Sequence, residues 1–152
     1  MSLPHLTGLG FLPSGIHACS IGDVHHRFGW NSRRRELLDK LDVFRGWLSS
    51  SHGLACDFFI GGSFVTSKPN PGDIDFVIDL SSSSPTEAAA AIALYVDSRT
   101  QLKKEFEIDY WFCHERATQP LSNYFMFPRL EEVLRMSLPM DSRRGVLRVC
   151  AQ

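Results

Sequence analysis

The chain has 152 residues, 43% of them apolar and 22% charged, and its 16 basic and 17 acidic side chains leave a net charge of −1. A chain of this size buries about two-thirds of its unfolded surface in one domain, with no room for a second, and its composition excludes disordered and fibrous classes. The balanced charge excludes recruitment of nucleic acid or anionic membrane by an overall field, so any such contact has to be local.

Residues 1–18 are rich in Gly, Leu and Pro without a clear period, and are expected to form an arm that lies along the surface or ties down one edge of the domain. "SIGDVHHRFG" predicts a short helix with Ser20 as N-cap, Asp23 near N3 and Gly29 as a left-handed stop. "NSRRRELLDKLDVFRGWLSS" predicts a second helix capped by Asn31, with Leu37, Leu38, Leu41, Phe44 and Leu48 on its inner face. "LACDFFI", residues 54–60, reads as a buried strand stopped by Gly61 and Gly62, and residues 74–80 read as the next. The dozen residues between them hardly suffice for a helical crossover, so the two strands are expected to be antiparallel neighbours. Ser84, Pro85 and Glu87 mark a strong helix start. "KKEFEIDYWF" alternates, which predicts a strand with Phe106, Ile108, Tyr110 and Phe112 on one face and Glu107, Asp109 and Trp111 on the other. A helix over 128–137 and a strand "GVLRVC" follow.

The expected fold is a single α/β domain of the α+β type, a mixed β-sheet flanked by helices. Its parts are the arm (1–18), two helices (19–50), a core (54–112) and a C-terminal helix and strand (113–152). Cys19, Cys56, Cys113 and Cys150 have no zinc-ligand spacing and read as buried thiols. With no leader pattern and no apolar run near the ~20 residues that span a bilayer, the expected setting is a reducing cytoplasm without a membrane partner.

The chemistry concentrates in "FFIGGSFVTSKPNPGDIDFVIDL", residues 58–80. Side chains alternate along a strand, so Asp73 and Asp75 share one face while Ile74 and Phe76 take the other. Paired carboxylates raise each other's pKa and call for a cation, and oxygen-only ligands suit Mg²⁺, with Mn²⁺ as the substitute. Ten residues before Asp73 stands Ser63, after Gly61 and Gly62, whose missing Cβ atoms let backbone N–H groups approach an anion. A helical turn beginning there would add a favourable dipole for phosphate. Asp109, on the polar face of its own strand, is a candidate third ligand or base, with Glu107 as its rival.

The order G-G-S, then D-I-D, then a later strand bearing Asp resembles the polymerase β-like nucleotidyltransferase superfamily, particularly its minimal single-domain members. The match covers residues 58–112, about a third of the chain. The resemblance implies that Gly62 and Ser63 hold the triphosphate of an NTP, most simply ATP, that Asp73 and Asp75 bind Mg²⁺, and that Asp109 completes the triad. Many minimal members carry an arginine soon after the Gly-Ser turn; here Phe64, Val65 and Thr66 stand there, and Lys68 is the nearest positive charge, so it joins Gly61, Gly62 and Ser63 in the expected nucleotide-binding set. The expected activity is NMP transfer to a hydroxyl of a protein, an RNA end or a small molecule. The alternative is an inactive nucleotidyltransferase-like binding module with a protein partner, as in a toxin–antitoxin or defence pair.

Other features receive plainer readings. His25 and His26 are expected at the surface, and Cys113 with His114 face opposite ways on a strand. Arg33, Arg34 and Arg35, and Arg143, Arg144 and Arg148, read as solvated faces, with an RNA- or triphosphate-holding role open if they border the cleft. Trp111 reads as packing under a helix, with base stacking as the other possibility.

Overall fold

The computed structural model describes residues 2–115 and 125–151. Among them, five strands form one mixed sheet in the order β1-β5-β2-β3-β4, accompanied by four α-helices, an α+β fold. The strands are β1 (Ile16–Cys19), β2 (Phe58–Gly61), β3 (Ile74–Asp79), β4 (Ile108–Cys113) and β5 (Val146–Val149). The helices are α1 (Ile21–Phe28), α2 (Ser32–His52), α3 (Pro85–Phe106) and α4 (Leu130–Arg135). β2 pairs antiparallel with both β3 and β5, as expected for β2 and β3, whereas β1 runs parallel to β5 and β4 parallel to β3. α3 is the crossover that parallel β3 and β4 require.

Alternation along the strands divides the sheet into two unlike faces. Phe58, Ile60, Ile74, Phe76, Ile78, Ile108 and Tyr110 join the main core with Leu37, Leu38, Leu41, Phe44 and Leu48 of α2 and Leu94 and Leu102 of α3. Phe44 is its hub, with an edge-on contact to Phe76 at 5.2 Å between ring centroids and a tilted one to Phe106 at 5.3 Å. Phe59, Val77, Cys113 and Val146 point the other way into a smaller cluster with Trp111, Phe125 and Met126. Asp75 and Asp109 lie in the strand phase of this second face.

The two capping boxes form as expected. Ser20 and Asp23 close one, Ser84 and Glu87 the other, and the Asn31 side chain accepts the Arg34 N–H. Several expectations need correction. Gly29 ends α1 at φ −91° rather than in the left-handed region; glycine fits there because a Cβ would lie 2.7 Å from the His25 carbonyl oxygen. The run from Leu54 does not start a strand. Gly53, at φ 64°, and Leu54 bond back to Ser49 and Leu48 to finish α2, and β2 begins only at Phe58.

Lys103 to Phe106 belong to α3 and not to the following strand. Phe106 packs on Phe44 and Trp47 from the helix, and Glu107 breaks it in the left-handed region at φ 53°. The arm does tie down a sheet edge, but through a strand of its own, β1, with Leu3, Phe11 and Leu12 buried behind it. Among the thiols, Cys19 and Cys113 are buried, Cys56 half-buried and Cys150, just past β5, exposed. Burial pushes the Cys19 and Cys113 thiols up to about 12, where they are inert.

Candidate functional site

β2 stops at Gly61, and the chain turns through one 3-10 turn, Gly62–Val65, on its way to β3. Gly62 sits at φ +69°, and a Cβ there would collide with the Asp75 carboxylate, so both the backbone angle and the close approach require glycine. At Gly61 a Cβ would collide with the Phe125 ring base. The loop is then braced internally: the Thr66 hydroxyl donates to the Ser63 carbonyl at 2.6 Å and accepts the Lys68 N–H at 3.2 Å.

Its main brace comes from α2. Arg34 is fully buried, and its guanidinium donates to the carbonyls of Phe28 (3.3 Å), Phe64 (2.7 Å), Thr66 (2.6 Å) and Lys68 (2.6 Å). Burial draws its pKa down to about 10, which still leaves it charged at neutral pH. The solvated reading of Arg33–Arg35 therefore fails at Arg34, because one rigid fork of donors satisfies carbonyls that the irregular loop cannot pair with itself. Arg33 is also engaged. It grips Glu107 at 3.0 Å with both terminal nitrogens, while Lys40 holds the same carboxylate at 2.9 Å. These partners hold Glu107 down to about 2 and point it at α2, which removes it as a rival to Asp109.

Parallel pairing sets Asp75 directly beside Asp109. Asp73, just before β3, completes the group, and oxygens of the three carboxylates all lie within 4.8 Å of one another. Asp75 is 6% exposed, and burial, followed by the charges of Asp73 and Asp109, pushes its carboxyl up to about 7. Three convergent hard oxygen donors, one of them held against its own ionisation, fit a divalent cation of the Mg²⁺ type. Two basic residues of α3 pair with this group: Arg99 with Asp109 at 2.9 Å and Lys103 with Asp73 at 3.4 Å.

The raised Asp75 pKa has a defined sign. The folded state holds this proton more tightly than the unfolded chain, whose carboxylate titrates near ~3.9, so the associated stability is complete below that pH and is lost as pH rises through about 7. In a melting series without metal, this group is expected to lower the midpoint across that window. Mg²⁺ competes with the proton, so the stabilisation it confers should grow over the same range. A Mg²⁺ increment that does not change with pH would remove Asp75 from the ligand set.

A cleft of about 570 Å³ opens over this face of the sheet. It is lined by Gly62, Ser63 and Lys68, by the carboxylates of Asp73 and Asp75, and by the aromatic residues Trp111, Phe125 and Phe127. Arg129, Arg144, Glu132 and Lys103 supply charge around it. Lys68 lines the cleft, whereas Gly61 is at the end of β2 against Phe125 and does not. Asp109 does not line this cleft; it borders a separate groove, with Lys103 lining both.

Arg144 is buried too, contrary to the solvated reading. It is paired with Glu132 at 3.0 Å, with its Nε donating to the Phe125 carbonyl at 3.3 Å. Arg148 pairs with Asp57 and Asp79, away from the cleft, and Arg143 lies over Phe127. His25 pairs with Asp42 on the helix surface. Trp111 packs against Tyr95 of α3, as expected, and also lines the cleft, with Arg99 3.8 Å from its ring centroid. Sequence reasoning missed Lys103, Arg99, Arg129 and the aromatic pair Phe125 and Phe127. Arg99 and Lys103 carry a usable signal, one helical turn apart, that depends on α3 running through to Phe106.

Fold and site together define an α+β domain with a three-carboxylate centre, of the kind able to hold a divalent cation, set beside a glycine-serine turn. The chain belongs to a family of unknown function (DUF6932), whose model matches residues 4–149. No curated protein and no solved structure matches it. Among the described residues, no helix is long and apolar enough to cross a membrane.

Proposed function

We propose that this protein is a Mg²⁺-dependent nucleotidyltransferase that moves an NMP group from an NTP, ATP being the first candidate, to a hydroxyl acceptor in a reducing cytoplasm. The observation that carries the reading is the meeting of the Asp73, Asp75 and Asp109 carboxylates, with Asp73 and Asp75 lining the same cleft as Gly62 and Ser63. In such a site the cation supplies charge neutralisation at the attacking and leaving oxygens.

The chain's own residues do the remaining work. Ser63 and the N–H groups of the turn orient the β and γ phosphates, and Lys68 and Arg129 add positive charge where the loop itself carries no arginine. Trp111, Phe125 and Phe127 give the base an apolar wall on which to stack. Asp109, which belongs to the triad and lines a neighbouring groove, receives the proton of the attacking hydroxyl.

The test is incubation with each α-labelled NTP, with Mg²⁺ or Mn²⁺ and separate RNA, protein and small-molecule acceptor pools. Label transfer that is lost on chelation is the expected result. Tight capture of one protein partner with no label on any acceptor would replace this reading with that of a binding module.

A further inference from the structure

We propose that the groove on the outer side of Asp109 is the acceptor subsite and that it takes a phosphate-bearing acceptor; this rests on the nucleotidyltransferase reading. The groove, about 460 Å³, is lined by Arg99, Thr100, Lys103, Lys104 and Asp109. Three cations and a hydroxyl surround one carboxylate, without an apolar side chain. Such a lining offers phosphate oxygens several charge-assisted donors, carried on aliphatic stems. The placement follows from helix geometry: Arg99 and Lys103, and likewise Thr100 and Lys104, stand one turn apart, so all four project from the same side of α3.

Two residues join this groove to the cleft. Lys103 lines both, and Asp109 belongs both to the groove and to the triad. An acceptor whose phosphate rests on Arg99 and Lys104 therefore brings a neighbouring hydroxyl up to Asp109, opposite the nucleotide held in the cleft. Its oxygen forms the new bond to the α-phosphorus while the bond from that phosphorus to pyrophosphate breaks. Pyrophosphate leaves with the electron pair, and the hydroxyl proton passes to Asp109 and on to water.

The ion pairs add a coupling. Arg99 now neutralises Asp109 at 2.9 Å and Lys103 neutralises Asp73 at 3.4 Å. With a cation held by Asp73, Asp75 and Asp109, Arg99 and Lys103 would be left with charge for the acceptor's phosphate, so metal and acceptor would bind with positive linkage.

Fluorescence anisotropy of a labelled, 5′-phosphorylated oligoribonucleotide, with a non-hydrolysable ATP analogue present, tests this. Binding is expected to strengthen on adding Mg²⁺. Lys104→Glu and Arg99→Gln are each expected to weaken it about tenfold or more, with analogue binding unchanged in Lys104→Glu. Competition with 5′-AMP separates the two sources of phosphate: equal competition marks a small phosphorylated acceptor, and none marks a strand end. Unaltered probe affinity in both variants, or no probe binding at all, overturns the subsite. If the protein binds no ATP analogue with Mg²⁺ while the probe still depends on Lys104, the nucleotidyltransferase reading falls, and the acceptor role with it, leaving an anion-binding groove.

Discussion

Asp75→Asn is expected to abolish Mg²⁺-induced stabilisation, to lower nucleotide transfer by more than ~100-fold, and at the same time to raise the melting temperature of the metal-free protein. The combination follows from one geometry. Asp75 is the buried member of three carboxylates whose oxygens lie within 4.8 Å, and its own ionisation is opposed first by burial and then by its two neighbours. Asparagine keeps the shape and deletes the opposed charge, so the folded state loses a repulsion and gains roughly 1–3 kcal/mol at neutral pH. On the proposed reading the same change replaces an anionic ligand of the cation by a neutral one, and so should exceed the ~10–100-fold losses typical of residues that only orient a ligand. Asp73→Asn should share the loss of transfer with a smaller gain in stability, because Asp73 is more exposed and already paired with Lys103. Thermal melts with and without Mg²⁺, beside the labelled-NTP assay, read all three quantities. An Asp75→Asn protein that melts lower and still responds to Mg²⁺ would show a structural carboxylate.

The second large effect is predicted at Arg34. Arg34→Met keeps most of the stem and removes the donors, leaving the carbonyls of Phe28, Phe64, Thr66 and Lys68 without this partner inside the protein. The cost is expected to be about 3–5 kcal/mol, the upper range for single substitutions, or roughly 10 °C in melting temperature for a domain of this size. Arg34→Lys should recover only part of it, since an ammonium cannot reach carbonyls spread around a planar fork. Calorimetric unfolding of the two variants decides the matter, and a methionine variant within ~1 kcal/mol of the native protein would mean that the loop is held by other contacts.

The sequence was most legible where local rules act alone. Ser20 with Asp23, Asn31, and Ser84 with Pro85 and Glu87 announce helix starts because a cap needs only its own few residues. Asp73 and Asp75 were legible for the same reason, as a strand-phase pair after a glycine-serine turn. What local rules could not supply was the helix end at Glu107. Phe106 alternates in phase with Ile108 and Tyr110, and only the packing of Phe106 on Phe44 and Trp47 assigns it to α3. Arg34 and Arg144 were hidden differently. A basic run reads as solvated until the irregular carbonyls around it are known, and these come from residues up to 34 positions away. Likewise, a four-residue edge strand such as β1 has no period to detect until β5 lies beside it.

Glu107 occupies a left-handed position between α3 and β4 and is clasped by Arg33 and Lys40 of α2. That single residue fixes the phase in which β4 begins, and with it which side chain lies beside Asp75 on the open face of the sheet. Shortening the junction by one residue would turn Asp109 towards Phe44 and put an apolar side chain beside Asp75. A salt-bridged helix stop on one side of the sheet thus acts as the spelling rule for an acidic centre on the other. The length of this junction should be far less tolerant of insertion or deletion than that of the loop between Ser67 and Gly72.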